Sequence, residues 1–103
     1  MTTTLLGHVL RDPRAYEDDA VVYVADDIAD EVTLLTPVVL ATHGGFAEDD
    51  VRGYRYLLEV GVISEVLAGL ERLLGAPPTA PQSLRAVLYY AEHDAFPELR
   101  DVK

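Results

Sequence analysis

The feature that most constrains the fold is a periodic run of apolar residues in the second half of the chain. The spacing alternates between four and three residues, at Tyr56, Val60, Ile63, Leu67, Leu70 and Leu74. Apolar residues at this spacing form one stripe along an α-helix. Gly75, Pro77 and Pro78 then break the pattern, as glycine and proline do just beyond a helix end. The sequence therefore predicts a long amphipathic helix whose stripe packs against other elements.

The start of this helix has two interpretations. Tyr54, Tyr56, Leu58 and Val60 stand at every second position, which is the period of a β-strand. On that interpretation a strand leads into a helix that begins near Gly61. The sequence alone leaves both alternatives open.

A second helix is predicted after the proline-containing break. Thr79 and Gln82 stand three residues apart with Pro81 between them, which is the pattern of a capping box with proline in the first helical turn. Apolar residues continue the helix to about Asp94, at Leu84, Val87, Leu88 and Ala91. Because the break is short, we expect the two helices to form an antiparallel pair.

Two strands are predicted in the first half of the chain. Residues 20–25 (AVVYVA) and 36–42 (TPVVLAT) are rich in β-branched residues. Pro37 is tolerated in the second of them only at the strand start or on an edge. Between the strands, residues 26–35 fit either an acidic helical turn or an irregular connection, and the glycine-containing residues 43–50 are predicted as a loop.

A short helix is predicted near the N-terminus. The threonines at positions 2–4 are interpreted as N-caps of a helix over Leu5 to Leu10. This helix should end at Asp12, because Pro13 disfavours helical geometry in the residue before it.

Together the elements predict one α+β domain over residues 1–103. A small antiparallel sheet is covered by the N-terminal helix and by the C-terminal antiparallel helix pair, with the apolar stripe against Val22, Val24 and Val39. Two strands alone are marginally stable in water. The sheet therefore needs the helices, a third strand or a second copy of the protein.

The net charge of −10 comes from one segment of the chain. Between Ala15 and Val51 there are ten acidic residues and no Lys or Arg, whereas eight acids and eight bases balance outside that window. Such a block repels nucleic acid and anionic lipid, and at low salt it attracts a basic protein. We predict a partner-binding surface, the predicted acidic patch, formed by Asp26, Asp27, Asp30, Glu31, Glu48, Asp49 and Asp50.

No pattern of catalytic, cofactor-binding or metal-binding residues accompanies this charge. The chain has no cysteine, which excludes thiolate ligands and favours the reducing cytoplasm. Neither G-x-x-x-x-G-K-[ST] nor G-x-G-x-x-G occurs. His93 and Asp94 are interpreted as a helix end, where a cation interacts favourably with the helix dipole. We predict no enzyme activity, no cofactor and no metal site.

A cytoplasmic location without membrane contact is also expected. No apolar run approaches the roughly 20 residues of a membrane-spanning helix. The N-terminal residues carry no positive region before the apolar stretch and reach a charge at Arg11, which does not fit a secretory signal.

Two segments of the second half carry a family resemblance. At Tyr56–Val60 (YLLEV) and Leu88–Phe96 (LYYAEHDAF) the chain resembles a family of small uncharacterised bacterial proteins with YLLEV and YYAE-x-DAF segments. A looser similarity extends over residues 12–25, beginning at a DP-x-x-Y pattern. The resemblance implies a domain of unknown function and supplies no catalytic or binding residues to carry over.

Two functions follow from these features. The first is a small acidic protein-binding module, most concretely an immunity protein that neutralises a basic toxin such as a nuclease, because charge complementarity speeds association. The alternative is a non-enzymatic domain that acts as a homodimer or complex subunit. In that case the acidic surface serves only solubility.

Overall fold

The fold is α+β, as predicted, and is seen in a computed structural model that describes residues 2–25, 32–41 and 53–102. A four-stranded sheet has the order β1-β3-β2-β4, with antiparallel neighbours throughout. The strands are β1 (Thr2–Leu5), β2 (Val21–Ala25), β3 (Pro37–Ala41) and β4 (Tyr54–Glu59). The helices are α1 (Leu6–Arg11), α2 (Val60–Leu74), α3 (Ala80–His93) and α4 (Leu99–Val102), with a 3-10 turn at Pro13–Ala15.

The hydrophobic core lies between one face of the sheet and the helices. Val22 pairs with Leu40 and Val24 with Val38, and all four side chains are buried in the core. The stripe of α2 covers them with the buried residues Val60, Ile63, Val66 and Leu70. The predicted sheet covered by an N-terminal helix and a C-terminal helix pair is thus confirmed.

The predicted contact of Val39 with this stripe is wrong. Val39 pairs with Tyr23, between the core-facing residues Val38 and Leu40. Successive side chains of a strand point to opposite faces, so Val39 faces away from the helices. It is buried, but it is not a member of the core cluster.

The predicted N-cap role of the threonines at positions 2–4 is also wrong. They belong to β1 and pair with β3, which suits their β-branched side chains. The first turn of α1 has no side-chain cap. Instead, the N–H groups of Leu6 and Gly7 donate to the carbonyl oxygens of Thr36 and Leu34, at 2.9 and 2.8 Å. These backbone acceptors replace a capping side chain, and the helix ends before Asp12 as predicted.

The strand alternative for residues 54–59 is confirmed, and α2 begins at Val60. Tyr56 therefore lies in β4 and is 56% exposed, which corrects its predicted place in the helical stripe. A β-bulge interrupts the pairing, because Leu58 pairs with Val22 whereas Tyr56 pairs with Tyr23. The extra residue, Leu57, joins Leu58 in the core. This bulge breaks the alternation that a strand pattern requires.

The helix ends follow the sequence signals. Gly75 ends α2 in the left-handed conformation (φ 72°), which glycine adopts without strain. The Gln82 N–H donates to the Thr79 hydroxyl at 3.2 Å, and the Thr79 N–H donates to Gln82 Oε1 at 2.9 Å, which confirms the capping box. The short helix α4 was not predicted, because its four residues are too few to show a period.

Strand β3 begins at Pro37, the position at which proline was expected to be tolerated. Of the undecided residues 26–35, those from Val32 onward form an irregular turn, in which the Thr33 N–H donates to Thr36 Oγ1 at 2.7 Å. Residues 26–31 and the predicted loop at 43–50 lie outside the described residues. In the described ranges, no helix is long and apolar enough to cross a membrane.

Candidate functional site

All seven residues of the predicted acidic patch lie outside the described residues. The structure does describe the strands to which their segments attach. Ala25, which directly precedes Asp26, is the Cα partner of Tyr54 at one end of the sheet. The partner-binding role of these seven residues stays a prediction.

The other three acids of the 15–51 window are described and exposed. Glu17, Asp18 and Asp19 precede β2 at the end of the sheet where Val21 pairs with Glu59. The carbonyl oxygen of Asp18 accepts a 2.9 Å hydrogen bond from the Gly61 N–H in the first turn of α2. The backbone of Asp18 thus accepts from the first turn of α2, and the three exposed carboxylates add to the negative surface.

A groove of about 720 Å³ lies between β4 and α3. We call it the tyrosine groove, after Tyr56 and Tyr90 in its walls. Its apolar lining is formed by Val32, Leu57, Leu58, Val62, Leu88 and Ala91, and its charged residues are Arg55, Glu92 and Asp94. Both segments of the family resemblance contribute to this groove. Segments that are about thirty positions apart in sequence therefore meet at one surface.

The turn after α3 fixes one wall of the tyrosine groove. Asp94 is left-handed (φ 53°), and its N–H donates to the Tyr90 carbonyl at 2.8 Å. Aspartate tolerates this conformation better than most residues. The chain then returns so that the Phe96 ring meets the Tyr90 ring edge-on at 5.3 Å and lies over Gly69. The YYAE-x-DAF segment is thus a helix-ending motif that orients Tyr90.

Tyr56 lines the tyrosine groove and also contacts the sheet face that points away from the helices. Its ring meets that of Tyr23 edge-on, with centroids 6.5 Å apart. Partial burial, followed by the nearby Glu59 carboxylate, raises the pKa of the Tyr56 hydroxyl above its ordinary value of 10.0. Burial and the neighbouring negative charge thus both favour the neutral phenol over the phenolate.

A second groove, of about 740 Å³, lies between α1 and α2. His8, Arg11 and Arg14 line it together with the acids Asp12 and Glu71, so its charged lining shows no clear preference for a cation or an anion. The buried Ser64 hydroxyl has no hydrogen-bond partner among the described residues and belongs to the same wall. The half-buried Leu67 also lines this groove.

The histidines do not form a metal centre with other described residues. His93 lies in the last turn of α3, as predicted, with its ring centroid 4.3 Å from that of Tyr89. His8 lies on α1, where its Nδ1 is 3.2 Å from Thr4 Oγ1. Across the described ranges, no three His, Cys, Asp or Glu residues are grouped as metal ligands.

Sequence reasoning missed both grooves, because each is lined by residues that only the fold brings together. One signal was available: YLLEV and LYYAEHDAF both combine tyrosines with carboxylates. Their meeting depends on how the predicted helix pair packs against the sheet, for which the sequence has no signature.

The chain belongs to the family described as "Domain of unknown function (DUF7716)", whose model matches residues 3–99. This match confirms the resemblance to an uncharacterised family and extends it over nearly the whole chain. Neither a search of curated proteins nor a search of solved structures found a match.

Proposed function

We propose that this chain is a non-enzymatic protein-binding module that recognises a basic protein partner through the predicted acidic patch. In its most concrete form, it is a cytoplasmic immunity protein that neutralises a basic toxin such as a nuclease. The module needs no cofactor and no metal for this role. Nucleic acid and membranes, which are anionic, are not its partners.

The observation that carries the proposal is the segregation of charge along the chain. Ten acids and no bases lie between Ala15 and Val51, in a protein whose other charges balance. A concentrated field of one sign steers an oppositely charged partner and accelerates the encounter. An acidic surface that served only solubility would not require this concentration, because dispersed charges also keep proteins apart.

In this proposal the two acidic segments, which flank residues 36–42 in sequence, form one partner-binding surface. In the described part of the chain, Ala25 pairs with Tyr54 at one end of the sheet, and the first acidic segment begins directly after Ala25 in sequence.

A capture experiment tests the proposal. The wild-type chain, an Asp26→Lys/Asp27→Lys/Asp30→Lys variant and a control variant are immobilised and exposed to lysate of the native host. The control, Glu65→Lys/Glu71→Lys/Glu98→Lys, makes the same change in net charge at exposed positions outside the patch. We expect the wild type and the control to retain one basic protein that the patch variant releases.

Two results would count against this function. One is a partner that all three baits retain equally. The other is a chain that captures no basic protein and sediments as a homodimer, which would support the alternative role as a self-associating domain.

A further inference from the structure

The tyrosine groove combines three features that recognise one kind of side chain. Its apolar part includes Val62 and Leu88, which are partly exposed. Its aromatic part is formed by Tyr56 and Tyr90, and its acidic part by Glu92 and Asp94. An arginine side chain matches these three parts. Its aliphatic stem suits the apolar part, its flat cation suits the aromatic rings, and its hydrogen-bonding guanidinium suits the carboxylates.

The charges of the tyrosine groove favour a cation. Glu92 and Asp94 are both exposed at its edge. The contact of Glu92 Oε2 with His93 Nε2 is long, at 3.8 Å, and involves two solvent-exposed side chains, so the carboxylate remains accessible. Arg55 is the basic residue of the lining, and it has an interaction of its own within the molecule. The balance of the lining is negative, in a protein of net charge −10.

The aromatic walls are held in place before a ligand arrives. The edge-on contact with Phe96 orients Tyr90, and the edge-on contact with Tyr23 orients Tyr56. A guanidinium over the face of a tyrosine ring gains a cation–π interaction. Ordered walls lose little side-chain entropy on binding.

We propose that the tyrosine groove is the subsite that accepts an arginine side chain of the basic partner. The inference rests on the proposed function and adds an anchoring contact to it. The stem packs on Val62 and Leu88, and the guanidinium reaches the Tyr rings and the carboxylates of Glu92 and Asp94. The predicted acidic patch sets the association rate, whereas the tyrosine groove slows dissociation, because buried anchors act mainly on off-rates.

The test uses the full chain and a defined probe. N-acetyl-arginine methylamide is titrated into isotopically labelled protein, with N-acetyl-citrulline methylamide as its neutral isostere. We expect saturable NMR shifts at Val62, Leu88 and Ala91 and at the rings of Tyr56 and Tyr90, with millimolar affinity. Citrulline should bind about tenfold more weakly, because its ureido group is neutral and cannot replace the cation.

Matched variants locate the contact. Glu92→Gln/Asp94→Asn removes both carboxylates and retains a residue that tolerates the left-handed conformation at position 94. Glu65→Gln/Glu71→Gln removes two exposed carboxylates of α2 that do not line the tyrosine groove. The first variant should bind arginine about three- to tenfold more weakly, and the second should match the wild type. The backbone spectrum and the melting temperature of each variant verify the fold.

The outcomes separate this inference from the proposed function. Equal shifts with arginine and citrulline, no localised shifts at all, or equal weakening in both variants would overturn the arginine subsite. A basic partner that depends on Asp26, Asp27 and Asp30 but dissociates from Glu92→Gln/Asp94→Asn at the wild-type rate would overturn it too, and leave the proposed function standing. Selective arginine binding without any captured basic protein would support the subsite and count against the partner.

Discussion

At the residue scale, Tyr56 shows how one position carries several effects. Its ring pairs with Tyr23, its hydroxyl lies in the field of Glu59, and its side chain remains 56% exposed. Its spacing from Val60 fits a helix, and its spacing from Leu58 fits a strand. Pairing with β2 decides between them, and a long-range pairing of this kind is not encoded in local spacing.

The raised pKa of Tyr56 predicts a pH dependence above the neutral range. The folded state binds the phenolic proton more tightly than the unfolded state does, so the stabilisation is fully present below the ordinary value of 10.0 and is lost as pH rises through the folded pKa. Tyr56→Phe should reduce the loss of stability in that alkaline window. Denaturant midpoints measured across it test this prediction.

Absorbance titration of tyrosinate gives the matching site assignment. The difference in absorbance between the wild type and Tyr56→Phe reports the ionisation of Tyr56, and its midpoint should lie above pH 10.0. Glu59→Gln should lower that midpoint, because a repelling negative charge is removed. Glu65→Gln, which removes an exposed carboxylate of α2, is the control. A midpoint that Glu59→Gln leaves unchanged would refute the assigned electrostatic cause.

At the element scale, α2 joins the sheet to the helical layer. Its stripe was readable from sequence, because a helix that buries one face must repeat its apolar residues near a period of 3.6. The sequence did not show how deeply each residue of the stripe is buried. Leu70 is 2% exposed in the core, whereas Leu67 is half-buried beside the α1–α2 groove.

Truncation of these two leucines should lower the free energy of unfolding by different amounts, because one lies in the core and the other beside a groove. Leu70→Ala should destabilise the fold by about 2 to 5 kcal/mol, because it leaves a cavity in the core. Leu67→Ala should cost less, about 1 to 2 kcal/mol, because its side chain is partly solvated already. Urea unfolding of both variants measures the difference. Equal costs would contradict the assigned burial of α2.

At the scale of the whole molecule, the sequence predicted the class, the two inner strands and both long helices. Capping boxes, β-branched runs and helical periods are local signals, and Thr79 with Gln82 shows how reliable such a signal can be. Strand β1 was missed because its threonines are equally good caps and strand residues. The position of the tyrosine groove depends on how the α2–α3 pair packs against the sheet, which no local pattern encodes.

The central claim is that the predicted acidic patch steers a basic partner. Association rates of the captured partner, measured at low and high ionic strength, test it most directly. The rates are compared for the wild type, the patch variant Asp26→Lys/Asp27→Lys/Asp30→Lys and the control variant Glu65→Lys/Glu71→Lys/Glu98→Lys. The wild-type rate should fall about tenfold or more as salt screens the field, and charge reversal in the patch should lower it similarly at low salt. The control should lose less than the patch variant. A wild-type association rate that does not change with salt, together with a patch variant that associates at the wild-type rate, would contradict this claim. The acidic residues would then serve only solubility.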